Sequence, residues 1–151
     1  MKKILTLLAT LIVILGVGSC KKGAHASLNK IEYGSSFGMC WGYCVRIMAI
    51  TSNQVSLEKK KNSDQSDVKR CQKSLSNEEL SSIKSLIKSE FFELPDVIGC
   101  PDCADGGAEW VRIIENGKSK KVTFDYGKAP AAIKELVDKL RETEASITDC
   151  N

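Results

Sequence analysis

The stretch WVRIIENGKSKKVTFDY, from Trp110 to Tyr126, decides the fold. Trp110–Ile114 and Val122–Tyr126 are β-branched and aromatic runs on either side of Asn116-Gly117. Asn and Gly both accept the positive φ angles of a two-residue hairpin turn, so the segment predicts an antiparallel strand pair. Downstream, Pro130 suits a first helical turn, where its missing N–H costs nothing. Ile133, Leu136, Val137 and Leu140 then recur at helical spacing, and 145–151 reads as a polar tail carrying Cys150.

Upstream, Ser76 and Glu79 have the spacing of a capping box, in which each side chain takes the other's backbone N–H. Leu80, Ile83, Leu86 and Ile87 supply one apolar helix face, and Leu94-Pro95 lies past its stop. Asp96–Ala108 reads as a loop rich in Gly, Asp and Cys. Before the helix, Tyr43–Ile50 reads as a buried strand, turned by Thr51-Ser52-Asn53 into Val55 and Leu57, which alternate with Ser56 and Glu58. Asn62–Asp67 is a polar turn before a weaker strand at Val68–Leu75; Leu28–Tyr33 is a further strand candidate, and Ser35–Trp41 reads as loop. The order β-β-β-α-β-β-α predicts an α+β domain over 28–144, an antiparallel sheet of about five strands with two helices packed on one face.

Residues 1–19 read as a targeting segment: Lys2 and Lys3, an apolar run from Ile4 to Val17, then small residues before Cys20. The run falls short of the roughly 20 residues of a spanning helix. Val17-Gly18-Ser19-Cys20 resembles the lipobox of bacterial lipoproteins, with Val17 and Ser19 at the usual Leu and Gly or Ala positions. That resemblance implies cleavage before Cys20, lipid such as palmitate on its thiol, and residues 20–27 as a tether in the cell envelope. The rival cut follows Ala24-His25-Ala26 and would release a soluble domain starting at Ser27. Against it, Lys21 and Lys22 separate the apolar run from that site.

Removing Lys2 and Lys3 from a chain with 22 basic and 19 acidic residues leaves a near-neutral domain, with no basic stripe to hold nucleic acid. Of seven cysteines, Cys20 is the lipid site. Cys40, Cys44, Cys71, Cys100, Cys103 and Cys150 remain, an even set that reads as a disulfide framework in an oxidising compartment. Proximity and flanking turn formers favour Cys40–Cys44 and Cys100–Cys103, leaving Cys71 and Cys150 by subtraction, although sequence alone does not choose among the pairings.

Cys100-Pro101-Asp102-Cys103 also raises thiol–disulfide exchange. A reactive thiolate needs a helix N-terminus or a cation, whereas Asp102 and Asp105 would raise a neighbouring thiol's pKa. Cys40, Cys44, Cys100 and Cys103 could together bind zinc if reduced. Asp96, Asp102, Asp105 and Glu109 crowd one loop and read as a solvated acidic stretch, with calcium ligation as the alternative at spacings unlike an EF-hand. The sole histidine, His25, lies in the tether, which excludes His-dependent triads from the domain. Trp41 and Trp110 read as core or edge residues, with a ligand platform as the alternative.

Cys40-Trp41-Gly42-Tyr43-Cys44, an apolar strand, and a helix ending Phe91-Phe92-Glu93-Leu94 resemble an uncharacterised family of bacterial exported domains, many of them lipoproteins. The family has a Cys-aromatic-Gly-x-Cys turn, strands, a helix and a closing strand pair, and the likeness covers about Ile31–Arg141. Val45 and Ile47 stand where it usually has Pro and an aromatic. The resemblance implies compartment and fold and carries no activity. The expectation is therefore a non-enzymatic, membrane-anchored domain facing the periplasm or exterior, without catalytic residues or cofactor. It would bind an envelope protein or small ligand; the alternatives are a Cys100/Cys103 oxidoreductase and a zinc-binding lipoprotein.

Overall fold

A computed structural model describes residues 28–64, 66–148 and 150. The targeting segment, Cys20, the tether and His25 lie outside the described residues. Seven strands form one sheet: β1 (Leu28–Ser36), β2 (Val45–Thr51), β3 (Gln54–Lys60), β4 (Val68–Ser74), β5 (Val97–Ile98), β6 (Ala108–Glu115) and β7 (Lys118–Asp125). Among the described residues three α-helices accompany them: α1 (Asn77–Ser85), α2 (Glu90–Glu93) and α3 (Lys134–Ala145).

The sheet order is β4-β3-β2-β1-β6-β7-β5. The expectation of an antiparallel sheet of about five strands with two helices on one face does not hold. The sheet is mixed, because β5 pairs parallel to β7 through Val97–Thr123 and Ile98–Phe124. This two-residue strand falls within the stretch read as loop, and its ladder is extended by the Thr123 N–H donating to the Asp96 carbonyl at 2.9 Å. β1 is longer than the sequence suggests, taking in Ser35 and Ser36, and it sits at the centre of the sheet between β2 and β6. The helix read through Phe91–Leu94 is two helices. Tight i to i−3 bonds from Leu86 and Ile87 end α1, and α2 then turns Phe91 into the core at 1% exposure.

Local signals explain the rest. Ser76 and Glu79 form the capping box at the start of α1, with Glu79 N–H donating to Ser76 Oγ at 3.1 Å and Ser76 N–H to Glu79 Oε2 at 2.7 Å. Asn116 and Gly117 turn β6 into β7 at φ 51° and 76°.

Register arranges the core face in cross-strand rows. One runs Cys71, Leu57, Met48, Tyr33, Val111, Val122, and beside it lies Lys73, Val55, Ile50, Ile31, Ile113, Lys120. Ile83, Phe91, Leu136, Val137 and Leu140 of the helices join the same hydrophobic cluster as the apolar members of these rows, and each fully buried branched aliphatic contributes about 1.5–3 kcal/mol. Toward the C-terminal end of β1 the next row changes character: Lys69, Lys59, Arg46, Ser35, Glu109, Phe124. On the opposite face, the Trp110 ring lies across Gly34, where an added Cβ would collide with it.

Beyond α3, Ile147 and Cys150 are buried against the core, and Cys150 is bonded to Cys71 of β4. Gly117→Val should destabilise the domain by about 1 kcal/mol or more, because a β-branched residue at that φ is strained; urea unfolding reads the change, and Lys118→Val beside it should be tolerated.

Candidate functional site

Alternation along β6 puts position 109 on the same face as Val111 and Ile113, so a carboxylate enters the core register. Glu109 is 1% exposed. The Tyr33 hydroxyl donates to its Oε1 at 2.6 Å, Arg141 donates through Nε at 3.1 Å and through a terminal NH2 at 2.5 Å, and Gly127 N–H donates to Oε2 at 3.1 Å. Both oxygens are thereby satisfied, as a buried charge requires. Arg141 also reaches Asp138 at 3.2 Å. Burial, then the hydrogen bond and charge of Glu109, push the Tyr33 hydroxyl far above the usual tyrosine range, with Arg141 opposing. The same contact with Glu109 raises Arg141 further.

These groups form one wall of a cavity of about 630 Å³ lined also by Ser35, Phe37, Tyr43, Arg46, Tyr126 and Glu144. Arg46 on β2 meets Glu144 on α3, Nε to Oε1 at 2.5 Å. Phe37 and Tyr126 pack edge to face, with centroids 4.5 Å apart. Gly107 has φ +77°, and a Cβ there would strike the Phe37 ring, so only glycine lets the aromatic edge close on this strand end. Tyr43 donates to Asp67 at 3.0 Å, while Lys61 and Lys69 lie over its ring at 5.4 and 5.3 Å from the centroid.

Two disulfides frame this end of the sheet. Cys40–Cys44 closes the loop between β1 and β2, and Cys100–Cys103 closes the turn between β5 and β6. Asn62 donates from its amide to the Phe37 and Gly38 carbonyls at 2.6 and 3.0 Å, and Gly38 N–H donates to Asp102 at 3.4 Å, linking the two loops. Cys100 N–H donates to Asp125 at 2.8 Å. Trp41 and Met39, on the first loop, are 102% and 78% exposed. Trp41 is thus neither core nor edge. Trp110 belongs to the opposite face, with Lys121 Nζ 4.6 Å from its ring centroid.

The other groups singled out in the sequence are dispersed. Cys40, Cys44, Cys100 and Cys103 are consumed in two separate disulfides rather than converging on one ion. Among the described residues no group of three or more His, Cys, Asp and Glu is placed to hold a metal. Asp96 pairs with Lys120, Asp102 takes the Gly38 N–H, and Glu109 is buried with Arg141, so these carboxylates do not form a calcium loop. Cys103 opens only a three-residue 3-10 turn, flanked by Asp102 and Asp105, a poor setting for stabilising a thiolate.

Sequence reasoning missed Tyr33, Arg46, Arg141 and Glu144 and placed Glu109 in the wrong company. The available signal was a glutamate at a core position of an alternating strand. No family model matches the chain, and no curated protein is significantly similar to it.

Two outcomes follow from the buried cluster. Arg141→Met should cost about 3 kcal/mol in urea unfolding, because it strands the Glu109 charge in the core. At high pH the neutral Tyr33 form is the one that folding favours, so its contribution is complete below about pH 10 and declines as pH rises above that value. Thermal unfolding between about pH 9 and pH 11 should therefore show a shallower fall for Tyr33→Phe than for the wild type; parallel slopes would mean that Tyr33 ionises as readily folded as unfolded.

Proposed function

We propose that the chain is a bacterial envelope lipoprotein, cleaved before Cys20 and acylated there, whose single domain is a non-enzymatic binding module facing the periplasm or exterior. The observation that carries this reading is the direction of β1. It begins at Leu28, directly after the tether, and ends at Ser36, where the cavity and both disulfide loops gather. Its nine residues span roughly 30 Å at the usual strand rise. A short tether on Cys20 thus holds one end of the sheet near a bilayer and leaves the cavity end free to meet ligands.

Composition and covalent framework support the same reading. Six domain cysteines in three disulfides suit an oxidising compartment. The near-neutral domain argues against nucleic acid as a partner. The cavity joins aromatic walls to a few fixed polar groups, the usual make-up of a small-molecule site. Its one fully buried carboxylate is occupied by four donors, a state suited to holding a shape rather than moving a proton.

Metabolic labelling with an alkynyl palmitate analogue in a bacterial host should tag the wild type and leave Cys20→Ser untagged. A mature protein beginning at Ser27 would refute the anchor and leave a freely secreted domain.

A further inference from the structure

The cavity's polar groups are not equally engaged. Glu109 and Arg141 satisfy one another with Tyr33 and Gly127. Arg46 uses Nε on Glu144, and among the described residues its two terminal NH2 groups have no hydrogen-bond partner. Its side chain is 41% exposed and lines the cavity. Ser35, its direct cross-strand neighbour, is 5% exposed and lines the same wall, and its hydroxyl makes no side-chain hydrogen bond among the described residues. A guanidinium fork and a hydroxyl thus stand side by side, both with unspent donors.

Charge along the row sets the sign of what they fit. Arg46, Lys59 and Lys69 are successive partners across β2, β3 and β4. Lys59 donates to the Cys150 carbonyl at 2.8 Å and Lys69 lies over Tyr43, and among the described residues neither forms an ion pair. Among the described residues Glu144 is the one carboxylate ion-paired within this group of three, and Asp67 lies within electrostatic reach of Lys69. Burial and the nearby Arg46 charge hold Lys59 below the usual lysine range, as expected where cations outnumber their counter-ions. Phe37, Tyr43 and Tyr126 supply apolar surface beside the cationic end.

We propose that this cavity binds a small organic carboxylate carrying an aromatic body, with its carboxylate on the terminal NH2 groups of Arg46 and the Ser35 hydroxyl, and its ring among Phe37, Tyr43 and Tyr126. The proposal rests on the binding-module reading and names its ligand class. A guanidinium end presents parallel N–H donors that match two carboxylate oxygens. A cavity of about 630 Å³ lies within the size range of small-molecule sites. The satisfied Glu109 cluster keeps the back wall fixed, so little ordering is needed on binding.

Titration calorimetry and 15N-resolved NMR on the mature protein test this with three probes: N-acetyl-L-phenylalaninate, its uncharged amide, and acetate. The carboxylate with the ring should bind, shifting the Ser35 and Arg46 amides, and the amide and acetate should each bind at least about tenfold more weakly. Arg46→Gln should weaken the N-acetyl-L-phenylalaninate complex by about tenfold or more and Ser35→Ala by about threefold, with Lys120→Gln, remote from the cavity, unchanged. Should Arg46→Gln fail to fold, Ser35→Ala and Arg46→Lys carry the test, the latter weakening binding because it keeps the charge and loses the fork. Equal binding of the amide, unchanged affinity in Ser35→Ala, or no binding by any probe would overturn the proposal. Because this binding does not require lipid, a protein that binds the carboxylate yet takes no palmitate label fails the anchor and not the cavity.

Discussion

A single buried carboxylate governs the functional end of this molecule. Glu109 sits in the core register of β6 with almost no exposure, and its donors come from β1, α3 and the residue Gly127 that follows β7. A charge in that position is tolerable only when every oxygen is met, so the positions of Tyr33, Arg141 and Gly127 are tied to one another. Helix α3 is therefore held at this end by a polar clamp, and along Leu136, Val137 and Leu140 by apolar packing. Glu144, one turn beyond Arg141 on α3, is held where it can meet Arg46. The cavity is what remains between two ion pairs that the same helix brings to the sheet.

The rim around it is rigid for other reasons. Phe37 and Tyr126 are locked edge to face, Gly107 makes room for the Phe37 ring, and Asn62 bridges two carbonyls of the β1–β2 loop. Each disulfide at this end spans only a few residues. Such short bridges remove little chain entropy and act mainly on loop shape. The exposed Trp41 and Met39 are thus carried on a braced loop.

What could be read from the sequence was whatever is local. Asn116-Gly117 specified its hairpin because the turn's φ angles are a property of two residues. Ser76 and Glu79 announced α1 because a capping box spans four positions. Strand β5 was illegible: Val97 and Ile98 are too few for a periodic signal, and their partners, Thr123 and Phe124, come from a strand far along the chain. The central place of β1 was equally hidden, because β6 pairs with it only through long-range contacts. At the site, Glu109 stands in the sequence among several acidic residues near a Gly-rich loop. Its alternation with Val111 and Ile113 marked it as inward-facing, but Arg141 and Tyr33 become its partners only once the sheet and α3 are assembled.

The bond between Cys71 and Cys150 spans 79 residues, and the Tyr33–Glu109 contact spans 76. A chain synthesised from its N-terminus therefore makes the middle strand of the sheet early and must hold it half-paired until β6 follows. Strands β1 to β4 can zip as a meander, yet that partial sheet exposes the edge of β1 and the apolar rows that α1 and α3 later cover. Such an intermediate offers neighbouring chains an unguarded edge to pair with. Long-range closure of this kind slows folding, because loop entropy is lost before the contacts that offset it form. Stability of the finished domain and vulnerability of its nascent form thus arise from the same topology.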